Sequence, residues 1–212
     1  MTYTVKECFY TLQGEGVHVG RPAVFCRFSG CNLWTGREAD RATAVCTFCD
    51  TDFFGIGPDG GKFASARELA AFVKRRWPAD APASVRPFVV CTGGEPLLQL
   101  DEAAVNALHA EGFEIAVETN GTQTAPAGLD WICVSPKADA PLALVTGDEL
   151  KLVYPQESAL PERFESLAFR HFLLQPMDGP NLVQNTRAAL AYCLAHPRWR
   201  LSVQVHKSLG IR

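Results

Sequence analysis

From about residue 22 onward, short β-branched or aromatic runs alternate with stretches whose apolar positions recur at helical spacing. This order is expected of a parallel sheet covered by helices. The runs predict strands near 22–29, 86–91, 113–118, 130–134, 149–153, 169–174 and 201–205. Ser65-Ala66-Arg67-Glu68 has the form of a capping box, in which the serine and the glutamate satisfy free N–H groups of the first turn. It opens a helix through Leu69, Ala70, Phe72, Val73 and Lys74 that Pro78 closes. A second helix follows Asp101, with Ala104, Val105 and Leu108 on one face, and a third occupies roughly 185–195 until His196-Pro197 stops it. Phe54 to Gly61 is a glycine-rich loop, and Gln13, Gly14 and Glu15 form a polar turn before the first strand. Six or seven strands with about four helices fall short of the eight βα units of a closed barrel, which takes about 250 residues. The expected fold class is α/β, a partial (incomplete) TIM-like barrel of about six parallel strands with reduced helix number. Residues 1–212 form a single domain in this reading, with no internal repeat and with ligands at the carboxyl ends of the strands.

Composition narrows the function. The chain has 212 residues, 47% apolar and 20% charged, with 20 Lys+Arg against 23 Asp+Glu and a net charge of −3. That balance provides no basic field for nucleic acid and no polybasic membrane patch. Apolar runs such as Phe88-Val89-Val90-Cys91 and Trp131-Ile132-Cys133-Val134 are far below the roughly 18 to 20 residues of a membrane span. The opening Met1-Thr2-Tyr3-Thr4-Val5-Lys6-Glu7 lacks a charged-then-apolar signal pattern, so a cytoplasmic location is expected.

The eight cysteines lie at 8, 26, 31, 46, 49, 91, 133 and 193. Cys8, Cys26, Cys91, Cys133 and Cys193 sit in apolar runs and fit the role of small core hydrophobes. Cys31, Cys46 and Cys49 instead sit among glycine, threonine and aspartate. Three thiolates leave a tetrahedral zinc one ligand short, and no histidine lies between residues 19 and 108 to complete it. On a four-iron cluster the same three leave one iron open to a small molecule. Two other readings compete: a zinc knuckle completed by Cys26 or His18, and a redox disulfide between Cys46 and Cys49.

The three cysteines resemble the cluster loop of the radical S-adenosylmethionine superfamily, and flanking motifs narrow the resemblance to its 7-carboxy-7-deazaguanine synthase family. These are Phe9-Tyr10-Thr11-Leu12-Gln13-Gly14-Glu15-Gly16, Cys31-Asn32-Leu33-Trp34, Phe48-Cys49-Asp50-Thr51, Cys91-Thr92-Gly93-Gly94-Glu95-Pro96, Glu118-Thr119-Asn120-Gly121, Ser135-Pro136-Lys137, Gln175-Pro176-Met177-Asp178 and Gln204-Val205-His206-Lys207. They run from one end of the chain to the other. One departure stands out: fourteen residues separate Cys31 from Cys46, where most of the superfamily has three. The extra residues, including Gly36, Arg37, Glu38, Asp40 and Arg41, suit a surface excursion within a cluster-binding loop at about 30–52.

The resemblance implies an enzyme that uses a [4Fe-4S] cluster, S-adenosylmethionine and magnesium. A 5′-deoxyadenosyl radical would take hydrogen from C6 of 6-carboxy-5,6,7,8-tetrahydropterin, and ring contraction with loss of ammonia would give 7-carboxy-7-deazaguanine, a queuosine precursor. The cofactors would carry the chemistry, with no catalytic side chain assigned. It further implies that Cys31, Cys46 and Cys49 ligate the cluster and that Thr51 reaches magnesium. Phe48, Cys49, Asp50, Gly94, Glu95, Ser135, Pro136, Lys137, Gln175, Pro176, Met177 and Asp178 would contact S-adenosylmethionine. Leu12, Gln13, Gly14, Glu15, Arg27, Thr92 and the terminal carboxylate of Arg212 would contact substrate. For Arg27, which projects from an apolar strand, a structural ion pair competes with the substrate carboxylate. A homodimer and a flavodoxin or ferredoxin electron donor are implied as well. Two further functions stay open on the sequence: a glycyl-radical activating enzyme acting on a protein partner, and a non-catalytic zinc-binding module.

Overall fold

The computed structural model describes residues 2–212. Nine strands are seen among them: β1 (Tyr3–Leu12), β2 (Pro22–Phe28), β3 (Gly61–Phe63), β4 (Phe88–Gly93), β5 (Glu114–Thr119), β6 (Trp131–Val134), β7 (Thr146–Tyr154), β8 (Ala168–Pro176) and β9 (Trp199–Leu201). The helices are α1 (Ala66–Lys74), α2 (Glu102–Ala110), α3 (Leu182–Ala195) and α4 (Val205–Leu209). The strands form one sheet in the order β3-β1-β2-β4-β5-β6-β7-β8-β9. From β2 to β9 every neighbouring pair is parallel, whereas β1 pairs antiparallel with β2 and β3. The predicted partial barrel is thus present, with seven parallel strands and an antiparallel edge.

Two expectations fail at the ends of the sheet. Residues 3–12 form a strand where none was predicted. A bulge between Val5 and Glu7 changes which parity faces the helices, so the outer set runs Tyr3, Val5, then Cys8, and the period-2 signal is lost. At the other end, the strand expected at 201–205 lies at Trp199–Leu201, and Val205–Leu209 is helical. The Val205 amide leaves the sheet to donate to the Gly14 carbonyl at 2.9 Å. The alternation Leu201, Val203, Val205 imitates a strand, yet Val203 is exposed.

Ser65 caps α1 as expected, its Oγ accepting from the Glu68 amide, while Glu68 Oε2 accepts from the Ala64 amide, one residue before the cap. Asp101 caps α2 in the same manner. Outward-facing positions make two cores. Val24, Cys26, Phe28, Val89, Cys91, Ile115 and Val117 pack under α1 and α2, and Leu150, Leu152, Phe172 and Leu174 pack with α3 and Trp199. Inward-facing positions close the barrel floor with Ala23, Phe88, Val90 and Ala116.

Candidate active site

Alternation along parallel strands sends every second residue inward. Register therefore decides which polar side chains meet above the floor. Arg27 of β2 pairs with Thr92 of β4, Glu118 of β5 with Cys133 of β6, and Cys133 with Glu149 of β7, while Val153 pairs with Gln175 of β8. Lys151 shares the inward face of β7 with Glu149 and Val153. All of these except Glu149 border a cavity of about 390 Å³ at the carboxyl ends of the strands, within the range of small-molecule sites. Its far wall is the cysteine loop, with Cys31, Cys46, Phe48, Cys49, Asp50 and Thr51.

All the expected site residues border this cavity except Glu95 and Pro136, both buried outside it. Glu95 is fully buried, and its carboxylate accepts from the Leu97 amide at 2.9 Å, Thr119 Oγ1 at 2.7 Å and the Asn120 amide at 2.8 Å. Burial raises its pKa even though those donors favour the charged form. This carboxylate joins the end of β4 to the end of β5. Gly94 does border the cavity, but its first constraint is packing: a Cβ there would overlap the Gly30 carbonyl beside Cys31. Gly93, at φ 141°, would likewise drive a Cβ into the Phe28 backbone. The pair of glycines thus lets β4 approach the root of the cysteine loop.

The three loop cysteines all border the cavity while Cys8, Cys26 and Cys91 remain buried in the outer core. Cys133 departs from the simple core reading: it is buried but faces the cavity, with its sulfur 3.4 Å from Glu149 Oε1. Cys193 is only partly buried. A hydrogen bond from Cys46 lowers the Cys49 pKa to about 6 and raises that of Cys46, while burial raises Cys31.

Charge in the cavity is arranged around Lys151, which is 4% exposed. Its Nζ lies 2.5 Å from Glu15 Oε2 and 3.4 Å from Glu118 Oε2. Gln204 donates to Glu15 Oε1 at 2.9 Å and Gln13 to Glu118 Oε1 at 2.8 Å. Burial alone would raise the Glu15 pKa, but Lys151 and the amide donors outweigh it and bring it down to about 2. Burial would equally lower that of Lys151, yet Glu118 and Glu15 drive it upward. Lys137 has no such partner. Its Nζ donates to Ser135 O at 2.7 Å and Ser135 Oγ at 2.8 Å, no carboxylate pairs with it among the described residues, and burial lowers its pKa.

Arg27 makes the structural ion pair and also reaches the cavity. Its Nε donates to Glu7 Oε1 at 2.9 Å, which is a structural pair, and its side chain also borders the cavity. Among the described residues the remaining N–H groups of the fork have no acceptor, so the pair with Glu7 aims them without consuming them. Arg212 folds back onto β1: its guanidinium pairs with Glu7 at 2.6 Å and Asp59 at 2.9 Å, and Thr11 Oγ1 donates to its main-chain oxygen. Lys207 bridges Asp50 and Asp178, both at 2.6 Å, and so fastens the cysteine loop to the end of β8.

Lys151, Glu118, Gln204 and Lys207 were missed as site residues on the sequence. Lys151 carried a usable signal, since a charge inside Leu150-Lys151-Leu152 is as anomalous as Arg27 within its own strand.

An open parallel sheet whose carboxyl ends hold a three-cysteine loop, a Gly-Gly-Glu-Pro turn and one small-molecule cavity defines a radical S-adenosylmethionine enzyme. No protein-family model matches the chain. Among curated proteins it is 68% identical to the 7-carboxy-7-deazaguanine synthase of Caulobacter vibrioides and 64% identical to that of Bradyrhizobium diazoefficiens, each alignment covering all of both chains. Among solved structures it superposes on QueE from Escherichia coli with a TM-score of 0.73 and 28% identity, over 97% of this chain and 95% of that one. The chain belongs to the 7-carboxy-7-deazaguanine synthase family. Membership sets aside both the glycyl-radical activating enzyme and the zinc-binding module. No helix among the described residues is long and apolar enough to cross a membrane.

Proposed function

We propose that the chain converts 6-carboxy-5,6,7,8-tetrahydropterin to 7-carboxy-7-deazaguanine with loss of ammonia, using a [4Fe-4S] cluster, S-adenosylmethionine and magnesium. The observation that carries this reading is the meeting, across one cavity, of three loop cysteines with the inward layer Arg27, Thr92, Glu118, Lys151 and Gln175. When bound, the cluster and S-adenosylmethionine supply one-electron reduction and hydrogen-atom abstraction. The donor set fits them. Cys31, Cys46 and Cys49 offer three thiols from one loop, and Lys137 is a partly buried cation that no carboxylate pairs with among the described residues, as a methionine carboxylate would require. With Glu95 committed to the fold, the Gly94 backbone and Ser135 are left to face an ammonium, and Phe48, Asp50 and the Gln175–Asp178 strand end remain for the nucleoside. Thr51 offers one hydroxyl to magnesium, sufficient for an ion that keeps waters and takes substrate oxygens.

On the substrate side, the free N–H groups of Arg27 suit a carboxylate. Leu12, Gln13, Gly14 and Thr92 border the space for a flat heterocycle, and the Arg212 end lies at its rim. Glu15 stays ionised through the neutral range and Lys151 stays charged, so this pair presents a fixed acceptor and a fixed donor to the ring nitrogens. A sheet that continues from β1 to β9 supports reading residues 1–212 as one domain. We further infer a homodimer, a flavodoxin or ferredoxin donor, a cytoplasmic location, and no nucleic-acid or membrane partner, the last from the net charge of −3.

The test is anaerobic reconstitution with iron and sulfide, followed by turnover of the carboxypterin with S-adenosylmethionine and a reductant, read by mass spectrometry. Formation of the deazapurine together with 5′-deoxyadenosine is expected. A chain that holds a full cluster yet gives no deazapurine would overturn the substrate assignment.

A further inference from the structure

The fourteen residues between Cys31 and Cys46 fold back on the loop they lengthen. Their short 3-10 turn, Glu38–Thr43, is exposed except at Asp40 and Arg41, which are partly covered. Arg41 Nη1 donates to two main-chain carbonyls of the Cys46-Thr47-Phe48-Cys49 turn, Thr47 O at 3.0 Å and Cys49 O at 2.9 Å. Its Nε lies 2.8 and 2.9 Å from the two Glu38 carboxylate oxygens, which fixes the plane of the guanidinium. The guanidinium sits 4.1 Å from the centre of the Trp34 ring. Trp34 is itself held, its Nε1 donating to Arg37 O at 3.1 Å and its ring meeting Phe53 edge-on at 5.4 Å. Both ends of the insertion are tied as well, since the Val45 and Cys46 amides donate to Leu33 O at 3.1 and 3.3 Å.

A surface excursion with no structural task would not combine an oriented guanidinium, an aromatic platform and two otherwise free carbonyls. Carbonyls in a turn this short have no helix or strand to satisfy them. A planar fork can hold two acceptors at once and add a fixed positive charge, where an ammonium would act as a point. From this geometry we infer that Arg41 is a positioning residue: the long insertion is a brace that holds Cys46 and Cys49 in the form that ligates the cluster, and its charge favours the reduced, more negative state. This inference rests on the cluster reading of Cys31, Cys46 and Cys49. It assigns no contact between Arg41 and cluster or substrate.

The test uses the full chain reconstituted anaerobically, with Arg41→Gln, Arg41→Lys and Cys46→Ala beside the unaltered protein. Three quantities are read: iron and sulfide per chain, the rate of cluster loss to a chelator, and the midpoint potential from an optically followed redox titration. Arg41→Gln should lose its cluster about tenfold faster, the size expected when charge-assisted hydrogen bonds are removed, and its potential should move negative. Arg41→Lys, which keeps charge without the fork, should recover most of the potential and less of the retention. Thermal unfolding of the apo forms should be nearly unchanged, because the contacts of Arg41 lie within the cysteine loop and none reaches either hydrophobic core. Cluster retention and potential equal to the unaltered protein in Arg41→Gln, with the cluster lost in Cys46→Ala, would overturn the brace alone. Full iron content in Cys46→Ala would instead overturn the ligand reading beneath it. An apo Arg41→Gln chain that no longer folds would also refute the inference, since Arg41 would then support the whole fold.

Discussion

Replacing the buried Lys151 by methionine removes the cation that two partly buried carboxylates share while keeping much of the side-chain volume. Lys151 is 4% exposed, and the Glu15 side chain beside it is 15% exposed, so solvent cannot take its place. The Glu15 pKa stands at about 2 against an ordinary 4.5, and Lys151 leads the causes that lower it. A shift of that size corresponds to about 3 kcal/mol of stability at neutral pH, in line with the roughly 3 to 5 kcal/mol lost when one partner of a buried ion pair is deleted. The sign follows from the direction. Because the folded-state pKa is depressed, the contribution is complete above about pH 4.5 and is lost as the pH falls toward 2. In Lys151→Met burial is the leading influence left on Glu15, which raises its pKa. The variant should therefore gain stability on mild acidification while the natural chain does not. Urea unfolding of the apo chain, followed by tryptophan fluorescence at pH 7 and pH 5, measures both. We expect a loss of about 3 kcal/mol at pH 7 that narrows at pH 5, and partial recovery at pH 7 in Lys151→Met/Glu15→Gln. A loss under about 1 kcal/mol, or one equal at the two pH values, would refute the account of a cation clamped between two ionised carboxylates.

Cys46→Ala should abolish the cluster while Cys193→Ala, altering a thiol on α3, retains it; equal iron content in the two would contradict the ligand assignment. Arg27→Lys keeps a charge but loses the fork, so KM for the carboxypterin should rise roughly 10- to 100-fold, the worth of one or two charge-assisted hydrogen bonds, and steady-state kinetics with an unchanged KM would remove Arg27 from the substrate site. Gly94→Ala puts a methyl against the Gly30 carbonyl, and a loss of about 1 to 3 kcal/mol in thermal or urea unfolding is expected; stability within error of the natural chain would show that the close approach is not required.

The alternation of strands and helices, the capped helices at Ser65 and Asp101, and the division of the cysteines into a loop set and a core set were legible along the chain. These are local properties, set by periodicity, capping chemistry and the polarity of flanking residues. Motif resemblance then brought nearly every cavity residue into view. Tertiary structure decided the rest, because those matters depend on register between distant strands. The pairing of β1 with β2 hid its own alternation behind a bulge. The departure of the chain at Ser202 turned an apparent last strand into α4, which brings Gln204 to Glu15 and Lys207 to Asp50 and Asp178. Glu95 follows two glycines that border the cavity, yet three donors from neighbouring segments claim its carboxylate. The parity of β7 places Lys151 inside the barrel, between two glutamates more than thirty and more than a hundred residues away in sequence. A pattern along the chain indicates which residues face together within one element; only the packed sheet fixes which of them meet across elements, and the site is made of those meetings.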